Sequence, residues 1–202
     1  MIEQRKIVWP NNFVSPFTGC KTVLDLGCAR GSKLNKICGT IGATGLGIDL
    51  RQFCVENARK NSLTAIQYGD VVEVARDLLE NSFDGILMAD LLHCLPREQS
   101  LELVSYAKRI ARLVVVTSLP VEHRGWRQYE KQEQEPEMKH KSQWTLQQAH
   151  DLWGDETLTV YDPDFIERIH HKKGPEYIEW LKKEQYNGKF AVMTLSVWRK
   201  HE

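Results

Sequence analysis

Four aspartates, a glycine pair and three histidines are the residues of this chain best suited to chemistry. In the stretch VLDLGCARGSKL, residues 23–34, Asp25, Gly27 and Gly31 stand in an Asp-x-Gly-x-x-x-Gly pattern. An apolar run there enters a glycine turn and then a helix, and glycine, lacking Cβ, lets backbone N–H groups approach a ligand closely. A dinucleotide fingerprint would need glycine at 29 and 32, where Ala29 and Ser32 stand. A phosphate loop would need a Gly-Lys-Ser/Thr ending, which is missing as well. Asp49 in GIDL, Asp70 in YGDVVEVA and Asp90 in ILMADLLHCLP each close an apolar run. A carboxylate so placed accepts hydrogen bonds from a ligand or caps the next helix. His93, His123 and His140 carry imidazoles that take a proton near neutral pH, and Trp126 and Trp144 offer flat faces for stacking.

The elements around these residues follow from periodicity. Apolar runs at Thr22–Gly27, Thr44–Leu50, Ala65–Asp70, Phe83–Asp90 and Arg112–Leu119 alternate with helical stretches. Those stretches begin near Ser32, Arg51, Val71 and Pro96. Phe53, Val55 and Ala58 are the core-facing positions of the second, and Val71, Val74, Ala75, Leu78 and Leu79 recur at helical spacing in the third. Five β-α repeats imply a parallel sheet with helices on both faces, because parallel neighbours need crossovers. A polar loop follows Pro120, then a short helix in WTLQQAHDLW and two final strands, TLTVYD and KFAVMTLSVWRK.

The glycine turn with its preceding acid resembles motif I of the class I S-adenosylmethionine-dependent methyltransferases, whose pattern is acid-x-Gly-x-Gly-x-Gly. Ala29 departs from it at the middle glycine, a change that is tolerable if its φ stays negative. The resemblance spans Thr22 to Leu119. It implies a Rossmann-like α/β fold with a seven-stranded, mostly parallel sheet whose last strand inserts antiparallel, and S-adenosyl-L-methionine as cofactor. The implied cofactor residues are Asp25, Gly27, Gly31, Asp49 for the ribose hydroxyls, Leu50, Asp70 and Val71 for the adenine, and the Ala89–Asp90 turn for the methionine part. All of these ends lie on one edge of the sheet, where open α/β folds place ligands.

The acceptor side is read from what is present and what is lacking. ADLLHCLP is not the Asn/Asp-Pro-Pro-aromatic signature of amino-methylating nucleic-acid enzymes, and no Pro-Cys nucleophile stands there; Cys94 is read as packing. TSLP after the fifth run offers no acid to pair with Asp90, so no metal is expected. TSLP and the segment HKSQWT, with His140, Ser142, Trp144 and Thr145, resemble methyltransferases associated with bacterial glycan synthesis. His93 and His140 are therefore the candidate bases, with Asp90 in reserve, and Trp126 and Trp144 the candidate acceptor contacts. Structural roles stay open beside these: Trp144 as a core anchor, His93 at a strand–helix junction, Ser142 as a helix cap. The run HHKK near residue 170 reads as a solvated face, or else as a phosphate contact.

Lys plus Arg and Asp plus Glu are 27 each, so no basic field draws nucleic acid. Five cysteines without a CxxC pair fit reduced thiols in a cytoplasmic protein. No signal peptide or membrane span is evident. A single domain over residues 1–202 is expected, with an arm at 1–21, an acceptor-side loop at 120–144 and a helical insertion at 163–188. The expectation is methyl transfer to an oxygen of a small molecule or glycan component. Protein or RNA methylation, or a non-catalytic cofactor-binding module, are the alternatives, and the oligomeric state is open.

Overall fold

The computed structural model of the chain describes residues 13–61, 64–120, 141–153, 157–161 and 191–200. Seven strands form one sheet in the order β3-β2-β1-β4-β5-β7-β6. They are β1 (Thr22–Leu26), β2 (Thr44–Asp49), β3 (Ala65–Tyr68), β4 (Phe83–Ala89), β5 (Ala111–Pro120), β6 (Thr157–Tyr161) and β7 (Ala191–Arg199). The first five pair in parallel, and β7 runs antiparallel to both β5 and β6. This is the Rossmann-like, seven-stranded arrangement the sequence implied, with its last strand reversed. The chain builds outward from β1 to β3 and then returns to lay β4 on β1's other side. That reversal opens a crevice at the carboxyl ends of β1 and β4, the usual ligand position in such sheets.

The helices are α1 (Ser32–Ile41), α2 (Gln52–Asn61), α3 (Val71–Asp77), α4 (Arg97–Ile110) and α5 (Leu146–Trp153). The strands alternate their side chains between two layers, as period-2 geometry requires. On one face Leu24, Leu26, Ile86, Met88 and Val115 pack with Val71 and Ala75 of α3 and Leu103, Ala107 and Ile110 of α4. On the other, Val23, Leu87, Val114 and Val116 pack with Leu34 and Ile37 of α1 and Val55 and Ala58 of α2. With both faces covered, the central strands read as continuous apolar runs.

Two expectations about the core are corrected. Phe53 is 64% exposed, not core-facing; it sits in the first turn of α2, where Arg30 lies over its ring at 5.8 Å. The third helix stops at Asp77, and Leu78 is already extended with ψ 144, so Leu79 is exposed and off the helix. The cause lies in α4: the Arg109 guanidinium donates to the carbonyls of Ala75, Arg76 and Leu78. It satisfies the last turn of α3 with a cation where the helix dipole favours one. The expected helical insertion at 163–188, most of the loop at 120–144 and the first part of the arm lie outside the described residues.

Candidate cofactor and acceptor site

The glycine turn is stitched to the end of the neighbouring strand. Gly27 N–H and Cys28 N–H both donate to the Ile48 carbonyl, at 2.8 and 3.0 Å, and Ala29 N–H donates to Asp49 Oδ2 at 2.7 Å. Three successive N–H groups thus grip the last two residues of β2. Gly27 takes φ 77, and a Cβ there would come within 2.9 Å of the Leu91 side chain. Gly31 has φ 73 where it caps α1, and its N–H donates to the Cys28 carbonyl.

Ala29 has φ 50. The condition under which alanine replaces the middle glycine without strain, a negative φ, is therefore not met. The turn needs a left-handed residue there in order to aim the amide at Asp49, and alanine adopts that conformation at a cost of about 1–2 kcal/mol.

Asp25 lies within β1, buried beneath the turn. Burial pushes its carboxyl up to about 7; Lys33 acts against the rise and Asp49 adds to it. Asp49, at the end of β2, is buried too and accepts four hydrogen bonds: Ala29 N–H and Arg51 Nη2 on Oδ2, Arg51 N–H and Nε on Oδ1. Leu50 beside it is 44% exposed, an apolar side chain left open next to an acceptor. At the end of β3, Asp70 caps α3, its Oδ1 accepting from Val72 N–H and Glu73 N–H, and Val71 is buried against the core. The capping role considered for a strand-ending acid is thus real at Asp70, and among the described residues no donor meets its Oδ2.

At the end of β4, Ala89 is buried, and Asp90 just after it takes φ 58. That strained backbone is held by Ser118: Asp90 N–H donates to the Ser118 carbonyl and hydroxyl, and the hydroxyl donates to Asp90 Oδ1. Lys33, from the first turn of α1, pairs with Asp90 Oδ2 at 2.9 Å.

The acceptor-side residues divide. His140 and Trp126 lie outside the described residues. His93 is buried in the short 3-10 turn Leu92–Cys94, and its carbonyl accepts from Lys141 N–H and Ser142 N–H. Ser142 does not cap the helix; its hydroxyl donates to the Leu92 carbonyl and accepts from the Trp144 indole N–H. Trp144 is 3% exposed and belongs to the core cluster, with the Arg97 guanidinium 4.3 Å from its ring centre. A stacking platform needs an uncovered face, so in this structure Trp144 anchors the segment from Lys141 to Thr145 instead of facing an acceptor.

Arg51, Lys33 and Ser118 were not anticipated as parts of this edge. Lys33 had a readable signal, since a cation in the first turn of a helix opposes the dipole and needs an acidic partner. Arg51 had a weaker one, its place two residues beyond Asp49.

Residues 23–113 match the family described as a methyltransferase domain. No curated protein matches the chain in sequence. Among solved structures it is similar to a SAM-dependent methyltransferase from Archaeoglobus fulgidus, with TM-score 0.65 and 17% identity over 94% of this chain and 90% of that one. It is also similar to a chain from the Haloferax volcanii complex of the Trm112 methyltransferase activator with a methyltransferase, with TM-score 0.70 and 18% identity over 95% and 89%. The magnesium protoporphyrin IX methyltransferase of Synechocystis with bound SAH has TM-score 0.59 and 14% identity over 92% and 75%. Residues 23–113 are thus similar to a methyltransferase domain, within a chain whose fold is the Rossmann-like one of these structures.

Proposed function

We propose that the carboxyl edge of β1, β2, β3 and β4 holds S-adenosylmethionine and that the chain transfers its methyl group to an oxygen of a small molecule or glycan component, without a metal. The observation that carries the reading is the pairing of a buried acceptor, Asp49, with an open apolar neighbour, Leu50, beside a turn whose Gly27 has the left-handed φ of 77 that disfavours a side chain. A nucleoside presents that combination, two hydroxyls next to an apolar ring. Asp25, Gly27, Gly31, Asp49, Leu50, Asp70, Val71, Ala89 and Asp90 are the residues proposed to contact it.

The bound cofactor supplies an electrophilic methyl on a sulfonium. Asp49 would hold the ribose hydroxyls, and Asp70 and Val71 would hold the adenine. Asp25 offers a carboxyl that changes charge near neutral pH, where an ammonium nearby favours its ionised form. The chain's remaining tasks are to align the acceptor oxygen, exclude water and take its proton. His140 is the proposed proton acceptor: it precedes Lys141, whose N–H is fixed on the His93 carbonyl. His93, buried in the same turn, is the second. The balanced charge of 27 against 27 favours a small acceptor over RNA.

Calorimetry with S-adenosylmethionine and its demethylated product tests the cofactor site. Both should bind, and Asp49→Ala should weaken binding by at least about a hundredfold, as expected when two charge-assisted hydrogen bonds are lost. Binding of neither would sink the reading. With methyl-labelled cofactor, label should appear in hydroxylated sugars; label confined to protein or RNA would overturn the acceptor assignment.

A further inference from the structure

We propose that Arg51 is an internal occupant of the ribose subsite, a side chain that takes the place of a vicinal diol on Asp49 and sets the affinity of the site by having to be displaced. This rests on the cofactor reading of the site and adds a residue that the reading does not need.

A carboxylate has about four lone-pair positions. At Asp49 all four are used, two on each oxygen. Oδ1 accepts Arg51 N–H at 2.9 Å and Arg51 Nε at 3.0 Å; Oδ2 accepts Ala29 N–H at 2.7 Å and Arg51 Nη2 at 3.4 Å. The two backbone donors cannot leave without undoing the glycine turn and the start of α2. The two guanidinium donors belong to a side chain and can swing away about its rotatable bonds while the backbone stays in place. Arg51 places one donor on each oxygen, and a cis-diol does the same. Entry is then a one-for-one exchange: two N–H donors leave Asp49 and two O–H donors replace them. The carboxylate is fully bonded before and after.

The exchange has a consequence for affinity. Breaking a bidentate, largely buried ion pair lowers binding by the strength of that pair. Without Arg51, the Asp49 carboxylate would wait buried with two acceptor positions unfilled, and a diol would relieve that cost. Removal of a cation that touches the ligand's own acceptor should therefore tighten binding, opposite to the usual effect of deleting a binding-site residue.

The probes are adenosine, which carries the diol and no charge, and 2′,3′-dideoxyadenosine, which lacks the diol. Arg51→Gln should bind adenosine about two- to fivefold more tightly than the wild type, the range expected for loss of such a pair. Arg51→Lys should fall between the two. The gain should vanish with dideoxyadenosine, which has nothing to exchange with the guanidinium. Equal or weaker adenosine binding by Arg51→Gln, or a gain that persists with the dideoxy probe, would overturn the proposal. Failure of the cofactor reading looks different: neither the wild type nor Arg51→Gln would then bind adenosine or the demethylated cofactor.

Discussion

Two buried aspartates on opposite edges of the sheet make nearly the same bonds. At the carboxyl edge, Asp49 accepts two backbone N–H groups and an arginine. At the amino edge, Asp84 of β4 accepts Lys21 N–H and Thr22 N–H on Oδ2 and Arg112 on Oδ1, while its own N–H donates to the Thr22 hydroxyl. The difference is where the donors come from. Those of Asp84 lie 62, 63 and 28 residues away in sequence, so it ties β1, β4 and β5 into register. Three of the four on Asp49 come from one residue, two positions on, and join nothing distant. The same bonding locks the fold at one end and leaves an exchangeable acceptor at the other.

The largest expected effect tests the lock. Asp84→Ala strands the two amides and leaves Arg112 only its bond to the Asn81 carbonyl among those described, and should cost about 2–4 kcal/mol of stability, within the range for breaking a buried, hydrogen-bonded charge. Its folded fraction should bind the demethylated cofactor as the wild type does. Denaturant titration and calorimetry on the same sample check both halves; a loss of affinity as large as that of Asp49→Ala would erase the distinction between the two edges.

A smaller effect separates the carboxyl edge by charge. The Asp25 carboxyl, raised by burial from 3.8 to about 7, keeps its proton in the folded chain at pH values where the unfolded chain has lost it. Stability from this group is therefore fully present below 3.8 and falls as pH rises through about 7. Thermal melts of the wild type and Asp25→Asn, at about pH 5 and about pH 8, isolate it. The wild type should lose stability relative to the variant at the higher pH. A gap independent of pH would mean that Lys33, the cation acting on Asp25, already holds it ionised.

The sheet and its acids were legible in the sequence because they depend on local pattern. The apolar runs ending in Asp49 and Asp90 follow from burial on both faces of a parallel sheet, while the run before Asp70 forms the exposed edge strand β3. What was not legible depended on contacts between distant elements. The end of α3 is set by Arg109, more than thirty residues on. Trp144 could be platform or anchor until Ser142 and Arg97 were seen to hold it. Phe53 has the spacing of a core residue, but it falls in the first turn of α2, where it is exposed with Arg30 over its ring. Arg51 is close in sequence to Asp49, yet nothing in the pattern says that its side chain turns back.

The smallest effect concerns backbone strain, again unequal between the edges. At the amino edge the left-handed residue is Asn81, a type that tolerates the conformation, and it is held further by Lys200 on its side chain and Arg112 on its carbonyl. At the carboxyl edge Asp90 is held in the same way by Ser118, but Ala29, φ 50, has no polar side chain to compensate. Replacing Ala29 by glycine removes about 1–2 kcal/mol of native strain and adds about 0.4–1 kcal/mol of chain entropy to the unfolded state. The balance favours the variant, so Ala29→Gly should melt about 1–3 °C higher, given the usual sensitivity for a chain of this size. Asp49 should keep its bond from residue 29, leaving the affinity for the demethylated cofactor close to that of the wild type. A lower melting point would mean that alanine's restriction of the unfolded turn outweighs its strain in the folded one, and the asymmetry between the edges would then lie in hydrogen bonding alone.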